Sequence, residues 1–174
     1  MKIGVLGSGD VAKTLASGFL KHGHEVMIGT RSTSKLADWV KQNAKGKAGS
    51  FEETAKFAQV AVLAVKGTAA VEALRAAGAA NLSGKPVIDA TNPIADQPPV
   101  NGVLRFFTSL DESLMERLQK EFSGARFVKA FNSVGALCMV NPEFKGERPT
   151  MFICGNDDDA KKTVTGNLGQ FGWG

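Results

Sequence analysis

Two rhythms of apolar residues alternate along this chain. Short continuous runs, such as Ile3-Gly4-Val5-Leu6, Val60-Ala61-Val62-Leu63 and Pro86-Val87-Ile88, read as strands covered on both faces. Stretches with regularly spaced apolar residues, such as Leu110, Leu114, Leu118 and Phe122, read as helices with one buried face. The pattern predicts strands at 2–6, 24–29, 59–65, 86–90, 126–131 and 150–154, with a further short one near 47–50. It predicts helices at 10–22, 33–44, 52–57, 68–80, 110–122 and 157–169. Such alternation implies an α/β chain: a doubly wound Rossmann fold, its sheet mostly parallel and its helices on both faces. Ser109 and Glu112 have capping-box spacing for the helix at 110–122. Asn156 and the acidic trio Asp157, Asp158 and Asp159 suit a helix N-terminus. Successive helical carboxylates point different ways, so the trio reads as capping and no metal site is expected.

In such sheets ligands bind beyond the carboxyl ends of the strands. The first of these ends is Gly7-Ser8-Gly9-Asp10-Val11-Ala12, a glycine turn that opens a helix. Gly7 permits the tight turn and Gly9 lets backbone approach a pyrophosphate. Ala12 stands where a third glycine would let helix and sheet pack closely. The helix start offers free N–H groups and a positive dipole end to an anion. At the end of the second strand an NAD enzyme usually carries Asp or Glu for the ribose 2′-hydroxyl. Here Thr30, Arg31 and Ser32 stand instead, with Lys35 one turn on and no carboxylate before Asp38. Arg31 can fork onto a phosphate, Thr30 and Ser32 can donate hydroxyls, and Lys35 adds charge. The cluster predicts NADP(H) over NAD(H). Ser32 or Thr33 is also expected to cap the next helix.

Composition narrows the remaining classes. The 174 residues fit one domain, 1–174, with a sizeable core. A net charge of +4 suits an anionic dinucleotide, but the densest basic run, Lys41, Lys45 and Lys47, reads as a solvated helix end. No motif supports nucleic-acid binding. No apolar run reaches roughly 18 residues, so no membrane span is expected. Met1-Lys2 leads straight into a strand, without a signal peptide. Cys138 and Cys154 are far apart, and a cytoplasmic protein with reduced, buried thiols is expected.

Three further strand ends carry candidate chemistry. Val65 and Lys66 close the third long apolar run. Lys66 either touches cofactor phosphate or ribose, closes over a substrate, or is simply solvated. Gly67 is expected to give the next helix free approach to the nucleotide. In Asp89-Ala90-Thr91-Asn92-Pro93, Thr91 and Asn92 either hydrogen-bond the nicotinamide ribose or amide or close an Asx-type turn, and Pro93 stiffens that turn. Asp89 reads as a buried, hydrogen-bonded carboxylate rather than a catalyst. In Lys129-Ala130-Phe131-Asn132-Ser133, Asn132 and Ser133 are candidates to cradle the nicotinamide, and Phe131 packs either on a ring or in the core. Phe106-Phe107 either walls a planar substrate or packs under the loop. His22 and His24 fall at the amino end of the second strand, the opposite edge of the sheet, and the chain has no tyrosine. No catalytic acid or base is therefore assigned. Hydride transfer between two rings requires alignment above all.

These segments together resemble the NADP oxidoreductases that depend on coenzyme F420, a deazaflavin hydride carrier. The resemblance rests on Ile3-Gly4-Val5-Leu6-Gly7-Ser8-Gly9-Asp10-Val11, Gly29-Thr30-Arg31-Ser32 with Lys35, Asp89-Ala90-Thr91-Asn92-Pro93, Val128-Lys129-Ala130-Phe131-Asn132 and Phe152-Ile153-Cys154-Gly155-Asn156-Asp157-Asp158. It implies that Ser8, Asp10 and Val11 cover the pyrophosphate and adenosine side. It also implies that Thr30, Arg31 and Lys35 hold the 2′-phosphate and that the loops after Asn92 and Asn132 take the nicotinamide. The implied reaction is hydride transfer between NADPH and F420 or a flavin-like acceptor, a small molecule, in a homodimer. Family members usually continue through another strand and helical segments, so a C-terminal extension is expected to be lacking here. Two other readings stand beside it. Leu63-Ala64-Val65-Lys66 also occurs in pyrroline-5-carboxylate reductases, imine reductases with a long helical domain after the Rossmann unit. A non-enzymatic NADPH-binding sensor module would equally lack acid–base residues.

Overall fold

The computed structural model describes residues 1–144 and 146–174. Six parallel strands, β1 (Lys2–Leu6), β2 (Glu25–Gly29), β3 (Gly46–Gly49), β4 (Val60–Leu63), β5 (Pro86–Asp89) and β6 (Arg126–Lys129), form one sheet. Their order is β3-β2-β1-β4-β5-β6. The chain runs outward from β1 to β3, then crosses back to β4 beside β1. The strand order reverses between β1 and β4, and the crevice above that reversal is where doubly wound sheets bind nucleotides.

Alternate residues of each strand feed two cores. Val5, Val62, Ile88 and Val128 face one layer, with α1 (Asp10–Lys21), α2 (Ala37–Gln42) and the C-terminal α7 (Asp158–Gln170). Leu6, Leu63, Val87 and Phe127 face the other, covered by α3 (Phe51–Phe57), α4 (Ala70–Ala77), α5 (Ala79–Leu82) and α6 (Leu114–Glu121). Gly4 and Gly29 let α3 lie hard against β1 and β2. A Cβ on Gly4 would stand 2.6 Å from the Thr54 carbonyl oxygen, and one on Gly29 would stand 2.7 Å from the Thr54 hydroxyl.

Capping chemistry sets several helix starts. Ser50 and Glu53 form a reciprocal box at α3, and Ser113 and Glu116 do so at α6. In each, the serine backbone N–H donates to the glutamate, at 2.7 Å for Glu53 and 2.6 Å for Glu116. Those bonds hold both carboxyls below the usual glutamate value. Asp157 caps α7 through a 2.8 Å bond from the Ala160 N–H. Asp158 and Asp159 pair with Lys161 and Lys162 one turn along the same helix.

Several expected elements differ. The box at Ser109 and Glu112 is not used. A helix starting there would have to carry Leu110 inward, and Leu110 is fully exposed. The pattern Ser-x-x-Glu repeats four residues later, where Leu114 and Leu118 are buried, and Glu112 instead binds Arg117 and Lys120. The helix expected at 33–44 splits into a 3-10 turn, Thr33–Leu36, and α2. The one expected at 68–80 begins as a 3-10 turn, Gly67–Ala69, and breaks at Gly78, whose φ is 86°. Residues 150–154 form no strand. Their neighbourhood spends its hydrogen bonds on the C-terminus, Met151 N–H to Gly174 and Gly174 N–H to Pro149, and Cys154 alone bridges Lys129, antiparallel. Cys154 is consequently exposed and Cys138 half-buried, not the buried thiols expected; neither is in a disulfide. Among the described residues, no helix is long and apolar enough to cross a membrane.

Candidate functional site

Two cavities open side by side above the carboxyl ends of β1 and β4. The smaller, about 350 Å³, is lined by Gly7, Ser8, Gly9, Thr30, Arg31, Lys35, Val65 and Lys66, with Phe51 and Glu72 on its helical side. The larger, about 920 Å³, runs from Gly9, Asp10 and Val11 across Val65 and Lys66 to Thr91, Asn92 and the segment Ile94-Ala95-Asp96-Gln97. Gly9, Val65 and Lys66 belong to both, so the two form one groove across the sheet edge.

The floor of the groove is the glycine turn. Gly7 adopts φ 134°, and a Cβ there would stand 2.2 Å from the Ala64 carbonyl oxygen. Its N–H donates to the Gly29 carbonyl at 2.9 Å, tying the turn to the end of β2. Gly9 differs. Its backbone is extended, with φ −81° and ψ −175°, and a Cβ there would meet nothing within 4 Å. The direction a side chain would take is open groove. Gly9 also leaves α1 without a side-chain cap, so first-turn N–H groups lack a side-chain acceptor. Ala12 is fully buried where α1 meets the sheet.

Local hydrogen bonds shape the smaller cavity. Buried Thr30 donates its hydroxyl to Ser8 at 3.3 Å and accepts the Ser32 N–H at 3.3 Å. Ser32 stands at the head of the 3-10 turn, but its hydroxyl pairs with Ser34 at 2.9 Å instead of capping. Arg31 and Lys35 are exposed at the mouth. Charge divides along the groove. Arg31, Lys35 and Lys66 oppose Glu72 at the small end, while Lys66 faces Asp10 and Asp96 at the large end.

The large end is built on a buried ion pair. Asp89 and Lys129 are register partners at the ends of β5 and β6. Lys129 Nζ lies 2.9 Å from Asp89 Oδ2 and also donates to the Thr91 carbonyl. Asp89 Oδ1 accepts the Thr91 N–H at 2.9 Å and the Thr91 hydroxyl at 2.7 Å. Asp89 is thus a buried organiser of its loop, as its place inside a strand suggested. Asn92 donates to the Asn132 carbonyl at 3.0 Å, joining the two neighbouring loops. Phe131, just before, holds φ 65°, a left-handed conformation that costs a bulky residue roughly 1–3 kcal/mol. Its ring is buried beside Phe171, in the core and not in the groove.

Ser32, Pro93, Asn132 and Ser133 lie outside both cavities; the other expected site residues line one or both. Gly67 lines the larger cavity and also serves packing. A Cβ there would stand 2.1 Å from the Asn92 carbonyl oxygen, so it lets the loops after β4 and β5 touch. His22 and His24 sit at the opposite edge, bonded to Asn141 and Gln170. Among the described residues, no group of three or more His, Cys, Asp or Glu could hold a metal ion.

One element of the site was not foreseen. Residues 93–107 fold back as an irregular hairpin held by two isolated antiparallel bridges, Ile94 with Phe106 and Val100 with Val103, with the Phe107 N–H donating to Pro93 at 3.0 Å and the Ala95 N–H to Arg105 at 2.8 Å. Val100 and Val103 exchange bonds across Asn101 and Gly102, whose φ values are 51° and 77°. Positive φ at both central residues defines a type I′ turn, and Asn-Gly between two valines is the sequence signal for it.

Comparison with known proteins agrees with this geometry. Residues 2–93 match the family described as NADP oxidoreductase, coenzyme F420-dependent. A candidate F420-dependent NADP reductase from Arthrobacter sp. FB24 superposes with a TM-score of 0.93 at 34% identity, over 99% of this chain and 82% of its own. Metalloreductase STEAP3 of Rattus norvegicus is 28% identical over 164 residues, 94% of this chain and 31% of its own, so the chain spans about a third of that curated relative. A reductive aminase from Aspergillus terreus, solved with NADPH and ethyl-5-oxohexanoate, has a TM-score of 0.72 at 20% identity over 99% of this chain and 53% of its own. That likeness is one of fold.

Proposed function

The chain belongs to the NADP oxidoreductase family described as coenzyme F420-dependent, and from that premise we propose that it transfers a hydride between NADPH and a flavin-like acceptor, coenzyme F420 foremost. The observation that carries the reading is the asymmetric groove, a cation-rich pocket joined at Gly9 to a larger cleft.

The residues present fit NADP(H). The open Cβ direction at Gly9 and the uncapped start of α1 suit a pyrophosphate. Arg31 and Lys35 offer charge-assisted bonds to a 2′-phosphate, with Thr30 and Ser8 beneath. When bound, NADPH supplies the hydride and the acceptor takes it with one proton from water, giving NADP⁺ and the reduced acceptor. Thr91 and Asn92, fixed by Asp89, Lys129 and the Asn132 carbonyl, hold the nicotinamide end in place. Ser32 and Asn132 brace the walls from outside the cavities, through the Ser32 N–H on Thr30 and the Asn132 carbonyl on Asn92, while Pro93 anchors the segment 93–107 by accepting from the Phe107 N–H. Lys66 spans both ends and serves phosphate or ribose. None of these groups needs to exchange a proton with the acceptor; alignment of the two rings is the protein's contribution.

The test is steady-state NADPH and NADH oxidation with F420, FMN, riboflavin and, because one relative is named a metalloreductase, a ferric chelate. The expected result is NADPH-preferring reduction of F420 or a flavin, with turnover nearly flat over about pH 6–8 apart from the acceptor's own ionisation. Turnover with a ferric chelate alone, or a bell-shaped profile abolished in Lys66→Ala or Asn92→Ala, defeats the reading.

A further inference from the structure

The smaller cavity has two unlike walls. One is the edge already described, where Ser8, Thr30, Arg31 and Lys35 bring hydroxyls and cations. The other is helical. Ala69, Glu72, Ala73 and Ala76 line it from α4 and the turn that leads into it, and Phe51 lines it from the start of α3. Positions 69, 72, 73 and 76 have the i, i+3, i+4, i+7 spacing of one helix face. Three of the four are alanine, so on that face Glu72 alone reaches beyond a methyl group.

Among the described residues lining this cavity, Glu72 is the single carboxylate. Its own helix gives it no partner. Ala76 stands at i+4, and Arg75, at i+3, pairs with Glu121 at 2.6 Å instead. Among the described residues, Glu72, Arg31 and Lys35 take part in no ion pair. Complementing the helix dipole accounts for an acid in the first turn of α4, but not for its place on the cavity face. An ionised carboxylate only accepts hydrogen bonds, and beside the phosphates of NADP(H) it is repulsive. The part of the cofactor it can face is therefore a part that donates. The 2′-phosphate and the adenine occupy neighbouring carbons of one ribose. With that phosphate at Arg31 and Lys35, the helical wall is left for the base. The adenine 6-amino group is a donor, and Ala69, Ala73 and Phe51 offer apolar surface to the ring.

We propose that Glu72 reads the base of the cofactor: its carboxylate accepts the adenine 6-amino group, while the alanine face of α4 and Phe51 take the ring. This rests on the NADP(H) reading above and deepens it. The small end then carries two separate specificities, one for the 2′-phosphate at Arg31 and Lys35 and one for the base at Glu72. A base with an acceptor in place of the amine leaves the carboxylate facing an oxygen, and the site rejects it for that reason.

The probe is nicotinamide hypoxanthine dinucleotide phosphate, which differs from NADP⁺ in carrying a carbonyl oxygen where adenine has its amine. Calorimetric titration of the full chain with each ligand reads binding without any turnover. Wild-type protein is expected to bind NADP⁺ about 10-fold more tightly than the hypoxanthine analogue. Glu72 is exposed, so its variants should fold as the wild type does. Glu72→Ala should bring the ratio of the two affinities near one by weakening NADP⁺. Glu72→Gln should also bring it near one while keeping more of the NADP⁺ affinity, because an amide accepts from the amine and donates to the carbonyl. Arg31→Ala should weaken both ligands alike and leave the ratio as it was. NAD⁺ and its hypoxanthine analogue repeat the comparison without the 2′-phosphate and should give the same ratio. Equal wild-type affinity for NADP⁺ and the analogue overturns the assignment, as does a preference that persists in Glu72→Ala. A loss in Glu72→Ala confined to NAD⁺ and its analogue alike would put the carboxylate on the ribose 2′-hydroxyl and overturn it too. Absence of binding of every dinucleotide overturns both readings. A wild type that prefers adenine through Glu72 but binds NAD⁺ as tightly as NADP⁺ would leave the base assignment standing and defeat the cofactor reading.

Discussion

The two ends of the groove are built by different means. At the small end, the glycine turn and the cations lie within a few residues of a strand end: Gly7, Ser8 and Gly9 after β1, Thr30, Arg31 and Lys35 after β2, with α4 closing the side. The turn is forced by a positive φ and a close carbonyl, and the cations are simply presented at its mouth. At the large end, a buried ion pair between two strands organises the loop, and a hairpin of 93–107 supplies the outer wall. One end is a local motif and the other is a tertiary construction. The lesson is that a cavity made by local motifs and one made by tertiary pairing can share one sheet edge, joined at Gly9, Val65 and Lys66.

Breaking the floor should have the largest effect, because both ends depend on it. Gly9→Val is sterically free in the protein itself, since φ −81° suits any residue and the Cβ direction is open. The added side chain would fill pyrophosphate space instead. Calorimetry should show NADPH and NADH binding both lost by more than about 100-fold, roughly 2.7 kcal/mol or more, with an unchanged melting temperature. A variant that melts early but binds normally would mean Gly9 serves packing.

The large end alone should fail in Lys129→Met. Asp89 is fully buried, and its partner would vanish while its charge stayed. Removing one member of a buried pair costs about 3–5 kcal/mol, against a total stability of about 5–15. Adding Asp89→Asn should recover much of that loss, because the amide oxygen still accepts from Thr91 while the charge is gone. Denaturant titration of wild type, single and double variants reads both numbers. Equal stability of wild type and the single variant would show that the pair is solvated.

The small end alone should respond to Arg31→Ala. The side chain is exposed, so stability should not move, whereas losing one charge-assisted phosphate bond costs about 1.5–3 kcal/mol. NADPH affinity should fall about 10- to 100-fold and NADH affinity should stay as it was. Equal losses for both cofactors would erase the distinction between the two ends.

The same division decided what was legible in the sequence. The strand–glycine–helix unit and the Thr30-Arg31-Ser32 cluster are contiguous, so spacing alone placed Gly7, Gly9 and Arg31 at one edge. Parallel order followed from alternation of strands and helices. The pairing of Asp89 with Lys129 needs the β5–β6 register, which no local pattern encodes. The hairpin was hidden for another reason. Asn101-Gly102 is a strong turn signal, but Pro98 and Pro99 beside it make the segment read as irregular loop. The start of α6 was displaced because two Ser-x-x-Glu patterns lie four residues apart, and only burial of Leu114 against exposure of Leu110 separates them. The apolar run at 151–154 looked like a strand because periodicity cannot see that its backbone partners are the C-terminal residues.

The smallest effect tests whether the two ends loosen independently. Each has a capping box behind it, Ser50 with Glu53 at α3 under the small end and Ser113 with Glu116 at α6, just after the hairpin. Ser113→Ala removes the acceptor for the Glu116 N–H and should cost about 1 kcal/mol. Acid should act in the same direction on both boxes. Each glutamate's carboxyl is held below its ordinary value of 4.5 in the folded protein, chiefly by the serine N–H. A folded value below the unfolded one means the contribution is complete above pH 4.5 and is lost as the pH falls through the folded value. The α3 box is backed by the packing of Thr54 and Ala55 against β1 and β2, while α6 meets the segment 93–107 through Arg117 over the Phe107 ring, and much of that segment is exposed. Hydrogen exchange should therefore quicken first at the Ala95, Val100 and Phe107 amides, both in Ser113→Ala and in wild type below pH 4.5, while the Gly7 and Thr30 amides stay protected. Simultaneous loosening of all five amides would mean that the segment 93–107 is locked to the sheet and that the two ends of the groove cannot loosen independently.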